Sequence, residues 1–166
     1  MRKKQVVVIG SSATDSSFQD IAYLIGKEIA SRGFVLITGG RTGIMEAASK
    51  GASEAGGIVI GVLPGKSFEE ANPYCDIVLP TGIGYARNST NVLCADLIIS
   101  IEGGSGTLCE LAYAWQYGKR IISCSFTGGW SESLAGTSID NRRNERIIDA
   151  KNIDDIIHEL DKLMLS

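Results

Sequence analysis

Six short apolar blocks, each stopped by glycine or proline, constrain this chain more than any other feature. They are "QVVVIG", "FVLITGG", "IVIGVLPG", "DIVLP", "DLIISIEGG" and "RIISCSFTGG". Each is β-branched and aliphatic without polar alternation, which suits strands buried on both faces of a parallel sheet. Helical patterns lie between them. "SSFQDIAYLIGKEIASRG" places Phe18, Ile21, Leu24, Ile25 and Ile29 on one stripe and stops at Gly33. "TGIMEAASKGASEAGG", "GYARNSTNVLCA", "GTLCELAYAWQYGK" and the closing "NIDDIIHELDKLML" read as further helices. Alternating strand and helix predicts an α/β fold: one Rossmann-like three-layer sandwich over residues 1–166, with a mostly parallel sheet and right-handed crossovers. Residues 126–146 read as the one long loop, and loops of that length in compact domains are usually functional or mobile.

Bulk properties narrow the function classes. A chain of 166 residues can bury a core without disulfides or metal, and 44% hydrophobic with 21% charged residues is ordinary for a globular protein. A net charge of −3 gives no overall attraction to nucleic acid or anionic membrane, so neither is expected as a partner. The apolar run at residues 6–9 is too short for a signal peptide, and no stretch approaches a membrane span. Cys75, Cys94, Cys109 and Cys124 are scattered with no C-x-x-C pair, so buried, reduced thiols and a cytoplasmic location are expected.

In open parallel sheets, ligands sit where strand carboxyl ends meet the following helices. Three such junctions are rich in glycine or serine: "GSSATDSS", "TGGRTGIM" and "EGGSGT". Glycine lets a backbone approach a ligand closely, and helix N-termini offer unpaired N–H groups with partial positive charge. The candidate binding residues are therefore Gly10, Ser11 and Ser12, then Gly39, Gly40, Arg41 and Gly43, then Gly103, Gly104, Ser105, Gly106 and Thr107. No G-x-G-x-x-G follows the first strand, which disfavours a standard dinucleotide site. "GKS" at residues 65–67 imitates a Walker A ending, but Ile60 occupies the place of the required glycine. His158 reads as a helix-surface residue, and no metal-ligand cluster is present.

Glu110 has two readings. Thr107 and Glu110 fit the T-x-x-E capping box, which would make the glutamate a helix starter. Alternatively, Arg87 in "GYARN" reaches the same sheet edge, where an arginine clamps phosphate with two parallel hydrogen bonds and a nearby carboxylate can do chemistry.

The order "GGRTGIMEAASKGA", then "ARN", then "GGSGTLCE" resembles a family of Rossmann-like nucleotide-binding proteins. The family carries the old label "possible lysine decarboxylase" and includes the LONELY GUY-type cytokinin-activating phosphoribohydrolases and the molybdenum cofactor carrier proteins. The resemblance runs from the first strand to the last helix. Its most specific element is the signature P-G-G-x-G-T-x-x-E, matched by Gly103, Gly104, Gly106, Thr107 and Glu110. In the hydrolases that glutamate and an upstream arginine serve the cleavage of a nucleoside 5′-monophosphate into free base and ribose 5-phosphate. The resemblance thus implies Glu110 and Arg87 as the catalytic pair, with no cofactor required. Breaking an N-glycosidic bond builds positive charge on the sugar, which a carboxylate can stabilise. The resemblance also implies a homo-oligomer, dimer or tetramer, paired through helices. Leu111, Tyr113, Ala114 and Trp115 are candidate contacts, against core packing as the ordinary alternative. Lysine decarboxylation itself is set aside, since no lysine sits in a recognisable pyridoxal-phosphate motif.

Four departures accompany the match. Glu102 replaces the signature proline and puts a negative charge beside the phosphate loop. Asn88 stands where the hydrolases favour lysine, Cys109 where they usually carry a second glutamate, and "GGRTGIM" is shorter than their loop. These place the chain nearest the "ARN" branch, which includes the cofactor carriers. Two readings stay open: a nucleoside-monophosphate phosphoribohydrolase, or a non-catalytic carrier or sensor of a nucleotide or molybdenum cofactor. Both share a small phosphorylated ligand.

Overall fold

Each of the six apolar blocks is a strand, and a computed structural model describing residues 2–166 shows how they assemble. The elements run β1 (Gln5–Gly10), α1 (Ser16–Ser31), β2 (Val35–Thr38), α2 (Ile44–Glu54), β3 (Ile58–Leu63), β4 (Ile77–Pro80) and α3 (Arg87–Leu93). They continue through β5 (Leu97–Ile101), α4 (Ser105–Gln116), β6 (Arg120–Cys124), α5 (Gly129–Leu134), β7 (Ile148–Ala150) and α6 (Ile153–Met164). One sheet holds all seven strands in the order β4-β3-β2-β1-β5-β6-β7, and every pairing is parallel. The fold is therefore α/β and Rossmann-like, as the block pattern predicts. No helix among the described residues is long and apolar enough to cross a membrane.

Strand residues alternate between two cores, one on each face of the sheet. Val6, Val8, Leu36, Leu97 and Ile99 pack beneath α1, α2 and α6, with Ile25, Ile29, Ile44, Ala48, Ile156 and Leu160. Val7, Ile9, Ile37, Ile98 and Ile121 pack beneath α3 and α4, with Val92, Leu111, Ala114 and Trp115. Burying one such side chain stabilises by roughly 2 kcal/mol, so the two-faced burial of the central strands dominates the fold. β1 and β5 are adjacent, yet the helices that follow them lie on opposite faces. The crevice this opens at their carboxyl ends is where a ligand site is expected in such sheets.

Four expectations change. Residues 126–146 are not all loop: a 3-10 turn (Ser125–Thr127) and α5 open the segment, and β7 follows it. α5 is only six residues long, and hydroxyl groups anchor it beside Leu134, which packs on the second core; Ser131 donates to the Glu102 carbonyl from both N–H (3.1 Å) and Oγ (2.7 Å). Leu24 is 46% exposed, because α1 buries Ala22, Ile25, Gly26 and Ile29 instead. Cys94 and Cys109 are exposed rather than buried, while Cys124 is buried and Cys75 half-buried, all four unpaired. Finally, Leu111, Ala114 and Trp115 are fully buried within the chain, so core packing is their role and they offer nothing to a partner copy.

Candidate functional site

The α4 helix begins on Ser105 with Gly104 as its N-cap, and no side chain caps it. Thr107 is thus the third helical residue and Glu110 the sixth, so the T-x-x-E pattern does not form a capping box. Glycine allows the N-cap backbone to turn without a side chain. The N–H groups of Ser105, Gly106 and Thr107 have no carbonyl partner within the helix by its geometry, and they carry the positive end of its dipole. Thr107 is 3% exposed because it packs on Gly103, where an added Cβ would lie 2.4 Å from the threonine Cβ.

These amides form one wall of a cleft of about 540 Å³. Gly10 at the end of β1 and Ser11, Ser12 and Ala13 of the β1–α1 loop form another wall, and Gly39, Arg41 and Thr42 of the β2–α2 loop close it with Met45 of α2. α3 contributes Arg87, Asn88 and Asn91, and Glu110 lines the cleft from the second turn of α4. Most of the residues singled out in the sequence therefore converge: Gly10, Ser11, Ser12, Gly39, Arg41, Arg87, Gly104, Ser105, Gly106, Thr107 and Glu110.

Three do not line the cleft and instead hold its walls. Gly40 donates its N–H to Thr38 Oγ1 (3.1 Å) and accepts from Asn72 N–H (2.8 Å), so its polar groups are spent inside the fold. Gly43 brings two loops into contact, since a Cβ there would meet Ser11 O at 2.3 Å. The next amide, Ile44 N–H, donates to Ser11 O (3.0 Å), which occupies the α2 N-terminus with protein rather than ligand. Gly103 supports Thr107 in a left-handed backbone conformation with φ of 99°.

Glu110 is 7% exposed, and one of its oxygens accepts a 3.0 Å hydrogen bond from Asn91 Nδ2. Burial pushes its carboxyl up to about 7, against the opposing pull of the Asn91 hydrogen bond and the nearby Arg87 charge. Arg87 is half-buried. Burial lowers its pKa, the Glu110 charge raises it, and repulsion from Arg41 lowers it further. Arg87 Nε and Asn91 Oδ1 are buried with no hydrogen-bond partner among the described residues. Leaving such groups unsatisfied costs free energy, and at a cleft it marks a site built for something other than stability. Asn91 went unnoticed in the sequence. Its four-residue spacing from Arg87 puts both on one face of α3, and that signal could have found it.

Glu102 does not line the cleft. Its carboxylate turns aside to accept a 2.6 Å hydrogen bond from Thr14 Oγ1, in place of pointing at the α4 N-terminus. No group of histidine, cysteine or acidic side chains able to hold a metal ion occurs among the described residues.

The geometry defines a Rossmann-like protein whose cleft gathers a helix N-terminus, two arginines and a buried carboxyl raised to about 7. The chain belongs to the SLOG cluster4 family (LDcluster4), whose model matches residues 3–157. It is 30% identical to a cytokinin riboside 5′-monophosphate phosphoribohydrolase of Mycobacterium marinum, over 91% of this chain and 89% of the relative. Among solved structures it is similar to the molybdenum cofactor binding protein of Rippkaea orientalis, with a TM-score of 0.87 at 36% identity. That match covers 100% of this chain and 99% of that one. The molybdenum cofactor carrier protein of Chlamydomonas reinhardtii matches with a TM-score of 0.87 at 34% identity, over 99% and 100% of the two chains. The resemblance drawn from "ARN" and "GGSGTLCE" thus holds, and both of its branches are represented.

Proposed function

We propose that this chain is a nucleoside 5′-monophosphate phosphoribohydrolase. The phosphate sits on the amides of residues 105–107 with Arg41 and Arg87 as cationic partners. Glu110 then faces the sugar. Water adds to C1′ as the C1′–N bond breaks, the base leaves with a proton, and ribose 5-phosphate remains. The ionised carboxylate stabilises positive charge developing on the ring and orients the water. The observation that carries this reading is Glu110 itself: a buried cleft carboxyl held near a pKa of about 7. Holding a carboxyl there is unfavourable for stability, and perturbed groups of this kind cluster at reacting centres.

The full-length similarity to two molybdenum cofactor proteins favours a second reading, in which the same amides and arginines hold a phosphorylated cofactor as cargo. Incubation of the purified protein with AMP and with an N6-substituted AMP separates the two. Release of free base that rises as pH passes through about 7 and disappears in a Glu110→Gln variant supports the hydrolase. Tight ligand binding with no release supports the carrier and overturns the hydrolase.

A further inference from the structure

Glu102 stands where the family signature carries proline, and its geometry is one that proline cannot adopt. Its φ is 53°, the only positive value at a non-glycine position among the described residues. Proline fixes φ near roughly −65° and has no N–H. Here the Glu102 N–H is used, donating to Thr127 Oγ1 at 2.7 Å. Its carbonyl accepts from Ser131 N–H and from Ser131 Oγ, at 3.1 and 2.7 Å. Thr127 Oγ1 in turn donates to the Cys124 carbonyl at 2.7 Å, which fixes the hydroxyl against β6. Gly129 at the start of α5 sits so close that a Cβ there would lie 2.7 Å from Gly103 O. Left-handed backbone is unfavourable for a residue with a side chain, and it persists where surroundings over-determine it.

The result of holding the backbone this way is the aim of the side chain. β1 and β5 pair as far as Gly10 and Ile101, after which their chains diverge to opposite faces. The 2.6 Å bond from Thr14 Oγ1 to the Glu102 carboxylate joins the two loops beyond that point. Other bonds from the β1–α1 loop run the opposite way, toward α2: Ser11 O accepts from Ile44 N–H and Ser12 O from Thr42 Oγ1, both at 3.0 Å. We infer that Glu102 is a positioning residue: it clasps the loop after β1 to the loop after β5 and fixes the spacing of the two walls that hold phosphate. This rests on phosphate binding in the cleft, as proposed above. The proline of the signature is thereby replaced by a different device, assembled from Glu102, Thr14, Thr127 and Ser131.

Three single variants of the full chain and the Glu102→Gly/Thr14→Val double variant test it. Glu102→Gly keeps the left-handed backbone and removes the carboxylate. Glu102→Gln keeps an acceptor for Thr14, and Thr14→Val removes the donor. AMP binding is measured by titration calorimetry, and exchange of the amides of residues 12–15 is followed in the ligand-free protein. Glu102→Gly and Thr14→Val should each weaken AMP binding by about tenfold, the scale of one hydrogen bond to a charged group. The double variant should be no weaker than either alone, and Glu102→Gln should restore binding to within about threefold. Amide exchange should accelerate in Glu102→Gly and Thr14→Val. Wild-type affinity in Glu102→Gly, or multiplicative losses in the double variant, would overturn the clasp. Failure of the wild type to bind AMP would instead sink the phosphate reading. The clasp is then decided by exchange alone, and unchanged rates would overturn it.

Discussion

Glu110 and Glu159 are each only 7% exposed, yet Glu110 lies deep in the protein and Glu159 just beneath the surface, and they carry opposite charge tendencies. Burial raises the pKa of Glu159 too, but a 2.7 Å bond from Lys162 and the Arg120 guanidinium outweigh it, and its carboxyl lies below the usual range. Glu110 has an amide from Asn91 and a cation that makes no salt bridge with it, and its carboxyl rises to about 7. Burial alone therefore does not make a reactive acid. What matters is how deep the carboxyl lies and whether a full opposite charge is allowed to touch it. On α6 the fold permits that contact, and in the cleft it withholds it.

The two glutamates should differ most in chemistry. Glu110→Gln should lower base release from AMP by about 100-fold or more, the scale of losing one transition-state electrostatic partner. Glu159→Gln should leave release near the wild-type rate.

A second test moves Arg87 without touching a charge. In Gly39→Ala the new Cβ would lie 2.1 Å from Arg87 Nη1 and 2.5 Å from Met45 Sδ. Both atoms are ends of flexible side chains, so the fold should hold while the guanidinium shifts. AMP affinity by calorimetry should fall about tenfold, because bidentate phosphate recognition depends on that placement.

Stability should then separate the two glutamates by sign. The Glu110 carboxyl is raised in the folded state, so its contribution is greatest below the unfolded value of 4.5 and is lost as pH rises toward about 7. Glu110→Gln should therefore stabilise the protein by about 1–3 kcal/mol near pH 8, an advantage that shrinks toward pH 4, as urea melts at both conditions would read. Glu159 has the opposite slope: its contribution is present above the unfolded carboxylate value and is lost as pH falls. Glu159→Gln should cost about 1 kcal/mol at neutral pH. The effect is modest because Arg120 and Lys162 are 35% and 48% exposed and solvent screens the pair.

The sheet was legible in the sequence because parallel strands buried on both faces must be apolar at successive positions, as in "VVVI" and "LIIS". β7 escaped because a strand of three residues is too short for any pattern, and α5 escaped because a six-residue helix held largely by Ser131 and Thr127 hydroxyls shows only one short apolar spacing. The glycine-rich loop before α4 was legible because free amide donors at a helix start require small residues in a row. The setting of Glu110 was not. Its pattern fitted a helix cap, and only the start of α4 at Ser105 and the long-range meeting with Asn91 on α3 show what surrounds it. Glu102 was legible as a departure from the signature but not as a left-handed residue, since φ depends on Thr127 and Ser131 far along the chain.

The most direct measurement is a carbon-13 NMR titration of the glutamate side-chain carboxyls, with Glu110 assigned from the Glu110→Gln variant. The account predicts a Glu110 midpoint at about 7, with Glu159 titrating below the ordinary range. A Glu110 midpoint at the ordinary value of 4.5 would contradict it and leave the cleft with no tuned acid.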